Sequence, residues 1–201
     1  MAVDLTPHLA ATHTALVVFE CQEGIVGPDG VLPDLAAAVR DGDVLAHIGE
    51  MAAAARESGV PVFHCMFERC EASTMNTPLE LRMRAGAHSP PSIGPIVAAL
   101  TPIDEDIIVT RSDGLTGFHG TDLDNRLRTA GVATIVLTGV SINVGILGTA
   151  IEAVNHGYTV IVPTDCVAGD PPEYAEQSLR YSLRNLAFLS TSAEIAQVWH
   201  R

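Results

Sequence analysis

Residues 133–162, with the sequence ATIVLTGVSINVGILGTAIEAVNHGYTVIV, hold a complete strand–helix–strand unit. The runs 133–138 and 158–162 are short and apolar, as is typical of strands that are buried on both faces of a sheet. Between them, residues 144–155 follow a helical pattern that ends at Gly157. Two strands joined through a helix lie parallel in one sheet, so this stretch predicts an α/β fold.

The same alternation of apolar runs and helical stretches continues on both sides of this unit. We expect further strands at 15–19, 61–66, 106–110 and 187–190, and further helices at 44–58, 121–128, 172–186 and 192–199. Thr121 and Asp124 resemble a capping box at the start of the second of these helices. The sequence therefore predicts one domain over 1–201, a three-layer α/β/α fold with a six-stranded, mainly parallel sheet. Residues 70–95 have little periodicity and predict a loop or arm.

Composition narrows the possible partners. The chain is 47% hydrophobic and 17% charged, with a formal net charge of −13 and only 11 Lys and Arg residues. This charge argues against nucleic acid binding, and the low charge content indicates that a partner subunit covers part of the surface. No signal peptide or membrane-length apolar run is present, so we expect a cytoplasmic protein that acts on a small-molecule substrate. The four cysteines lack zinc-ligand spacing, and we expect free thiols, no metal and no cofactor.

Two charged residues follow expected strands, at the edge of the sheet where ligands bind in α/β folds. Glu20 ends the first strand and is either a general acid or base or a solvent-facing carboxylate. Arg111 follows the third strand and could hold a substrate carboxylate. Asp113 could instead neutralise Arg111 locally in a surface ion pair.

The loop after the fourth strand is the third candidate. Gly139, Val140 and Ser141 lead into a helix whose free N–H groups could stabilise an oxyanion, and Asn143 offers a donor and an acceptor. The alternative is that the glycines only permit a tight turn. His64 ends the second strand, where it could line a pocket or serve as a structural hydrogen bonder.

Four segments resemble the isochorismatase-like superfamily, which also contains nicotinamidases and other cysteine amidohydrolases. They are ALVVFECQEGIVG at 15–27, SGVPVFH at 58–64, TGFHGTDLDNRLRTAGVATIVLTGV at 116–140 and SINVGILGTAIEAVNHGYTVIVPTDCVAG at 141–169. The resemblance implies a sheet of six parallel strands, a homodimer or homotetramer, and an oxyanion loop at Gly139–Ser141 with a cis peptide. Gln22 and Phe118 lie in these segments, and we expect them to line the substrate pocket with His64, Ser141 and Asn143.

The resemblance also implies a catalytic Asp, Lys and Cys, and this chain departs from all three. Glu20 stands at the aspartate position, and ungapped counting puts Ser112 at the lysine position, with Arg111 as the nearest cation. Gly145 stands at the cysteine position, where a side-chain nucleophile is impossible. We therefore expect a cysteine-lacking member.

Three functions follow from these departures. The first is hydrolysis of a small, anionic metabolite without a cysteine, with Glu20 as acid or base. Isochorismatases themselves resemble the chain in having glycine at the position of Gly145, and they cleave a vinyl ether without a nucleophile, although Asn143 stands where they have histidine. The second is a degenerate member that binds a small molecule or serves as a structural subunit. The third is an amidase that recruits another thiol, such as Cys65.

Overall fold

A computed structural model describes residues 4–70, 77–78 and 92–200. The arm expected at 70–95 lies largely outside the described residues.

The strands of the described residues are β1 Thr14–Phe19, β2 Val62–Phe67, β3 Ile107–Arg111, β4 Thr134–Val140, β5 Thr159–Pro163, β6 Val167–Ala168 and β7 Phe188–Ser190. They form a parallel sheet in the order β3-β2-β1-β4-β5-β7, and the short strand β6 pairs in parallel with the end of β4. The α/β class and the mainly parallel sheet are confirmed, and the expected strands agree with the observed ones to within a few residues.

The α-helices of the described residues are α1 Glu23–Val26, α2 Pro33–Asp41, α3 Val44–Glu57, α4 Leu123–Thr129, α5 Leu147–Asn155, α6 Pro172–Tyr181 and α7 Ser192–Trp199. They cover both faces of the sheet, and α1 and α2 were not expected from the sequence. The helix expected at 144–155 begins instead as a π-helical turn, Ile142–Ile146, which leads into α5. The helix expected at 172–186 divides into α6 and a 3₁₀ turn, Leu183–Asn185.

The capping box expected at Thr121 is wrong. The residue before α4 is Asp122, which makes no side-chain capping bond, and the Thr121 hydroxyl donates to the Gly117 carbonyl at 2.7 Å. The capping box is instead at α7, where Thr191 and Glu194 bond each other's backbone N–H groups. The Thr121 hydroxyl also accepts from Leu123 N–H at 3.3 Å, so it joins the preceding loop to the start of α4 without the reciprocal bonds of a capping box.

Alternation along β1 separates two apolar cores. Leu16 and Val18 face the core that holds α3 and α7, whereas Val17 and Phe19 face the core that holds α4 and α5. Side chains in a strand alternate between faces, so a continuous apolar run fills both cores. Within the described part of the chain, no helix is long and apolar enough to cross a membrane.

Candidate active site

The strand order places a crevice between β1 and β4. From β1 the chain builds the sheet outward through β2 and β3, and from β4 it builds outward through β5 and β7. Ligands in such sheets bind beyond the carboxyl ends of the strands at this point of reversal. Glu20 follows β1 there, and a cis peptide joins Val140 to Ser141 at the end of β4.

Arg111 forms an ion pair with Glu20. Its side chain is 6% exposed and that of Glu20 is 17% exposed. One terminal nitrogen, Nη2, donates to Glu20 Oε1, and the other, Nη1, donates to the Gly114 carbonyl at 2.7 Å. Glu20 itself has left-handed backbone dihedrals, with φ of 54°, which turns the chain sharply after β1. The pair therefore joins the ends of β1 and β3 across the intervening β2.

Alternation in β3 explains why Arg111 faces inward. Ile107 and Val109 pack against the Phe19 side of the sheet, and Arg111 continues the same face two residues later. Burial lowers the pKa of Arg111 to about 10, so the guanidinium stays protonated at neutral pH. A charged guanidinium in contact with a carboxylate stabilises its ionised form. The ion pair therefore favours the deprotonated form of Glu20, which a general base must have, although it weakens the carboxylate as a base.

The end of β4 is pressed against β1. Gly139 has a φ of 106°, and a Cβ at this position would lie 2.1 Å from the Phe19 carbonyl oxygen. Only glycine fits such a close approach of two backbones. After the cis peptide, the Ser141 carbonyl accepts a hydrogen bond from Ile146 N–H at 2.9 Å and closes the π-helical turn. The oxyanion role of Gly139, Val140 and Ser141 stays a prediction.

Gly145 is packed against an aromatic ring. A Cβ on Gly145 would lie 2.5 Å from Phe19 Cε1, well inside van der Waals contact, and the Phe19 ring is fully buried. A side chain at 145 would require the ring to move, and a close-packed interior resists that movement. The space beside position 145 therefore holds Phe19.

Two predicted site residues, Gln22 and Asn143, are bonded to the backbone. Gln22 is buried, accepts from Phe67 N–H at 2.7 Å, and donates to the carbonyls of Phe67 and Gly94 at 3.1 and 2.8 Å. The Asn143 amide donates to the Asp170 carbonyl and accepts from the Asp170 N–H at 3.1 Å. Both amides hold loops at the edge of the crevice, and their substrate-binding roles stay predictions.

His64 and Phe118 are not brought together with Glu20. His64 lies on the other face of the sheet, where its Nε2 is 3.2 Å from Asp106 Oδ2 and burial lowers its pKa. Arg56 of α3 pairs with the same carboxylate at 2.6 Å. Phe118 stacks on His156 with a centroid separation of 5.0 Å. The Ser112 side chain, half-buried, follows the strand end that Arg111 occupies.

The sequence analysis missed two aromatic residues, Phe19 and Phe67, that flank Arg111. The guanidinium carbon lies 5.4 Å from the Phe19 ring centroid and 4.9 Å from the Phe67 centroid. Phe67 is paired with Arg111 in the β2–β3 register, although its ring packs with the core that holds α3 and α7 rather than with Phe63 and Cys65. Each ring belongs to the last residue of a strand, at the edge of the sheet where ligands bind, and this position was the signal that the sequence offered. A cation between two rings is favourably placed even when it is withdrawn from water.

The cysteines differ in exposure. Cys21 and Cys65 are 3% exposed, and burial raises the pKa of each thiol to about 12. Burial also raises the pKa of the Cys166 thiol, whereas Cys70 is exposed. The buried thiols are protonated at neutral pH, and the thiolate is the reactive form. Among the residues that the structure describes, no group of three or more His, Cys, Asp or Glu side chains could hold a metal ion.

Residues 14–194 match the isochorismatase domain family. The chain is 33% identical over 195 residues to an isochorismatase family protein of Escherichia coli, YecD, covering 93% of this chain and 96% of that one. It is 28% identical over 190 residues to the ureidoacrylate amidohydrolase RutB of Pseudomonas syringae, covering 85% and 77%. A solved cysteine hydrolase from Pseudomonas syringae pv. phaseolicola superposes with a TM-score of 0.78 at 26% identity, over 94% of this chain and 93% of that one.

Proposed function

The chain belongs to the isochorismatase family, and on that premise we propose that it is a hydrolase that cleaves a small metabolite without a cysteine nucleophile. The observation that supports this most directly is the contact between Gly145 and Phe19. The position that would carry the family's thiol has no side chain, and the ring of Phe19 takes the adjacent space. The reacting water must then be activated by another group, and Glu20 is the group we assign.

Glu20 acts as a general base in this proposal. Its ionised carboxylate takes a proton from a water molecule, whose oxygen forms a bond to the electrophilic carbon of the substrate. The proton then passes to the leaving group as the scissile bond breaks, so that Glu20 returns to its ionised form. Arg111 keeps the carboxylate ionised and oriented. We assign the backbone N–H groups around Ser141 to stabilise the developing negative charge.

The pairing also changes the substrate that we expect. The anionic metabolite predicted from the sequence required a free Arg111, but the guanidinium is already neutralised by Glu20 and bonded to the Gly114 carbonyl. Arg111 is therefore no longer the group that we expect to bind a substrate carboxylate. The general-acid role of Glu20, needed to protonate an enol carbon, is also less suited to a carboxylate that is held ionised.

A non-catalytic binding protein or structural subunit is the second candidate. The specific observation in its favour is that the polar side chains at the crevice satisfy each other or the backbone: Glu20 with Arg111, Gln22 with Phe67, and Asn143 with Asp170. The third candidate, an amidase that uses Cys65, is disfavoured because the burial that raises the pKa of this thiol also removes it from substrate.

Product release from a small substrate panel tests the proposal. Isochorismate is followed by pyruvate release, and ureidoacrylate and nicotinamide are followed by ammonia release. We expect turnover of at least one substrate, loss of that turnover in Glu20→Gln, and full turnover in the matched surface variant Glu57→Gln, because Glu57 is exposed at the end of α3. A Glu20→Gln protein that is folded and fully active would overturn the assignment. Ligand-induced stabilisation with no product from any substrate would favour the binding protein.

A further inference from the structure

We propose that Phe67 is a positioning residue that, together with Phe19, fixes the guanidinium of Arg111 and thereby orients the Glu20 carboxylate. The catalytic consequence rests on the proposed function, whereas the placement of Arg111 by the two rings, called the clamp below, does not depend on it. Neither aromatic residue touches the reacting atoms in this account. Each acts through Arg111.

Arg111 is buried, and its guanidinium has both aromatic and polar neighbours. Rings lie near the guanidinium from β1 and β2, at 5.4 and 4.9 Å from the guanidinium carbon to the centroids of Phe19 and Phe67. The two terminal nitrogens, Nη1 and Nη2, donate hydrogen bonds to the Gly114 carbonyl and to Glu20 Oε1, respectively. Nε is buried and has no hydrogen-bond partner, so nothing polar anchors that end of the group. The aromatic faces therefore act together with the two terminal hydrogen bonds to fix where the guanidinium lies.

The Phe67 ring is itself anchored at its backbone. Phe67 pairs with Arg111 in the β2–β3 register, which sets the two residues side by side at the ends of their strands, and the ring centroid lies 4.9 Å from the guanidinium carbon. The Gln22 amide bonds both the N–H and the carbonyl of Phe67, at 2.7 and 3.1 Å. Gln22 follows Glu20 by two residues, so a single short segment of chain carries the carboxylate and the amide that holds Phe67. The three residues form one connected support for Arg111.

Phe67 is a cleaner test than Phe19, because Phe19 also fills the space beside Gly145. In Phe67→Leu, the apolar contact remains but the aromatic face is lost. We expect kcat to fall about tenfold with KM unchanged, which is the size of loss expected for one desolvated cation–π contact that acts on the base. Phe67→Tyr retains the ring face and should restore kcat to within about twofold of the parent.

Phe63→Leu is the matched control. Phe63 lies on the same strand, is fully buried, and packs in the apolar core that holds α4 and α5 rather than against Arg111. It should lose stability as Phe67→Leu does while keeping its kcat. Equal losses of kcat in both variants, or no loss in Phe67→Leu, would overturn the positioning role and leave the proposed hydrolase unaffected.

A readout that needs no substrate separates the two claims. In ¹⁵N–¹H spectra, the Arg111 Nε–H signal, assigned with Arg111→Lys, should be shifted upfield by the two rings and slow to exchange with water. In Phe67→Leu it should move downfield and exchange faster, and in Phe67→Tyr it should stay close to its original position. These shifts without turnover of any substrate would support the clamp and reject the hydrolase. An Nε–H signal that Phe67→Leu leaves unchanged would reject the clamp.

Discussion

The contact between Gly145 and Phe19 predicts a strong energetic coupling between the two positions. Replacing Gly145 by alanine adds a single Cβ, which would lie 2.5 Å from Phe19 Cε1 and 3.2 Å from Cδ1. Forcing an extra carbon into a packed core costs about 1–3 kcal/mol. Alanine would otherwise be favoured over glycine in this helical turn by about 0.5–1 kcal/mol. The net expectation is that Gly145→Ala lowers the free energy of unfolding by about 1–2 kcal/mol.

Replacing the Phe19 ring by the smaller leucine side chain should remove the packing cost of the added Cβ. Phe19→Leu destabilises the protein on its own through lost apolar contact, by about 1–3 kcal/mol. In the double variant the added Cβ has room, so Gly145→Ala becomes neutral or stabilising. The coupling energy from urea unfolding of the four proteins should therefore be about 1–3 kcal/mol, in the direction that favours the double variant.

A second cycle provides the control. Gly49 lies in α3 on the other face of the sheet, and a Cβ there would be 3.3 Å from the Ala99 carbonyl oxygen. Phe19→Leu and Gly49→Ala share no contact and should be additive within about 0.5 kcal/mol. An equally additive Phe19–Gly145 cycle, or a stabilising effect of Gly145→Ala alone, would show that the Phe19 ring does not exclude a side chain at position 145.

Three further predictions concern charge and loop anchoring. Glu20→Gln should leave the Arg111 charge buried without its counter-ion and lower the free energy of unfolding by about 1–3 kcal/mol. This loss is smaller than for a fully buried ion pair because Glu20 is 17% exposed. The double variant with Arg111→Gln should recover part of the loss in urea unfolding. Burial lowers the pKa of His64 below 6.5, so the unfolded chain takes up a proton before the folded chain does, and stability should fall as the pH drops through 6.5. In thermal melts, His64→Gln should make stability depend less on pH between pH 5 and 6.5. An unchanged pH dependence would show that His64 is not the group responsible. Asn143→Ala should cost about 1–2 kcal/mol and speed proteolysis near Asp170, and unchanged cleavage would show that the two amide bonds do not hold that loop.

The strands were predictable because their signal is local. Apolar runs long enough to cross a sheet and buried on both faces identify β1 and β4 within a residue of their observed starts. Helix α1 is only four residues long and begins at Glu23, with no periodicity to reveal it. The expected capping box at Thr121 had the right residue types, but the hydroxyl is used by a carbonyl in the preceding loop.

The site was only partly predictable. Strand alternation explains why Arg111 shares a face with Val109, and the same rule applied to β2 puts His64 opposite Phe63 and Cys65. Both placements therefore lay within reach of the sequence. The partners of Gln22 and Asn143 did not, since Phe67 and Asp170 lie 45 and 27 residues away and only the folded chain brings them near. The Phe19 ring against Gly145 is likewise a tertiary contact that no local pattern encodes.

Hydrolysis without a covalent cysteine intermediate can be tested by weighing the intact protein during turnover. The wild-type protein is mixed with the substrate of the panel that it turns over, quenched in acid during steady-state turnover, and measured as an intact protein by mass spectrometry. We predict product release with the protein at its unmodified mass near 21.2 kDa. A mass increase that maps to a cysteine would contradict the account, because water activated by Glu20 forms no bond between protein and substrate.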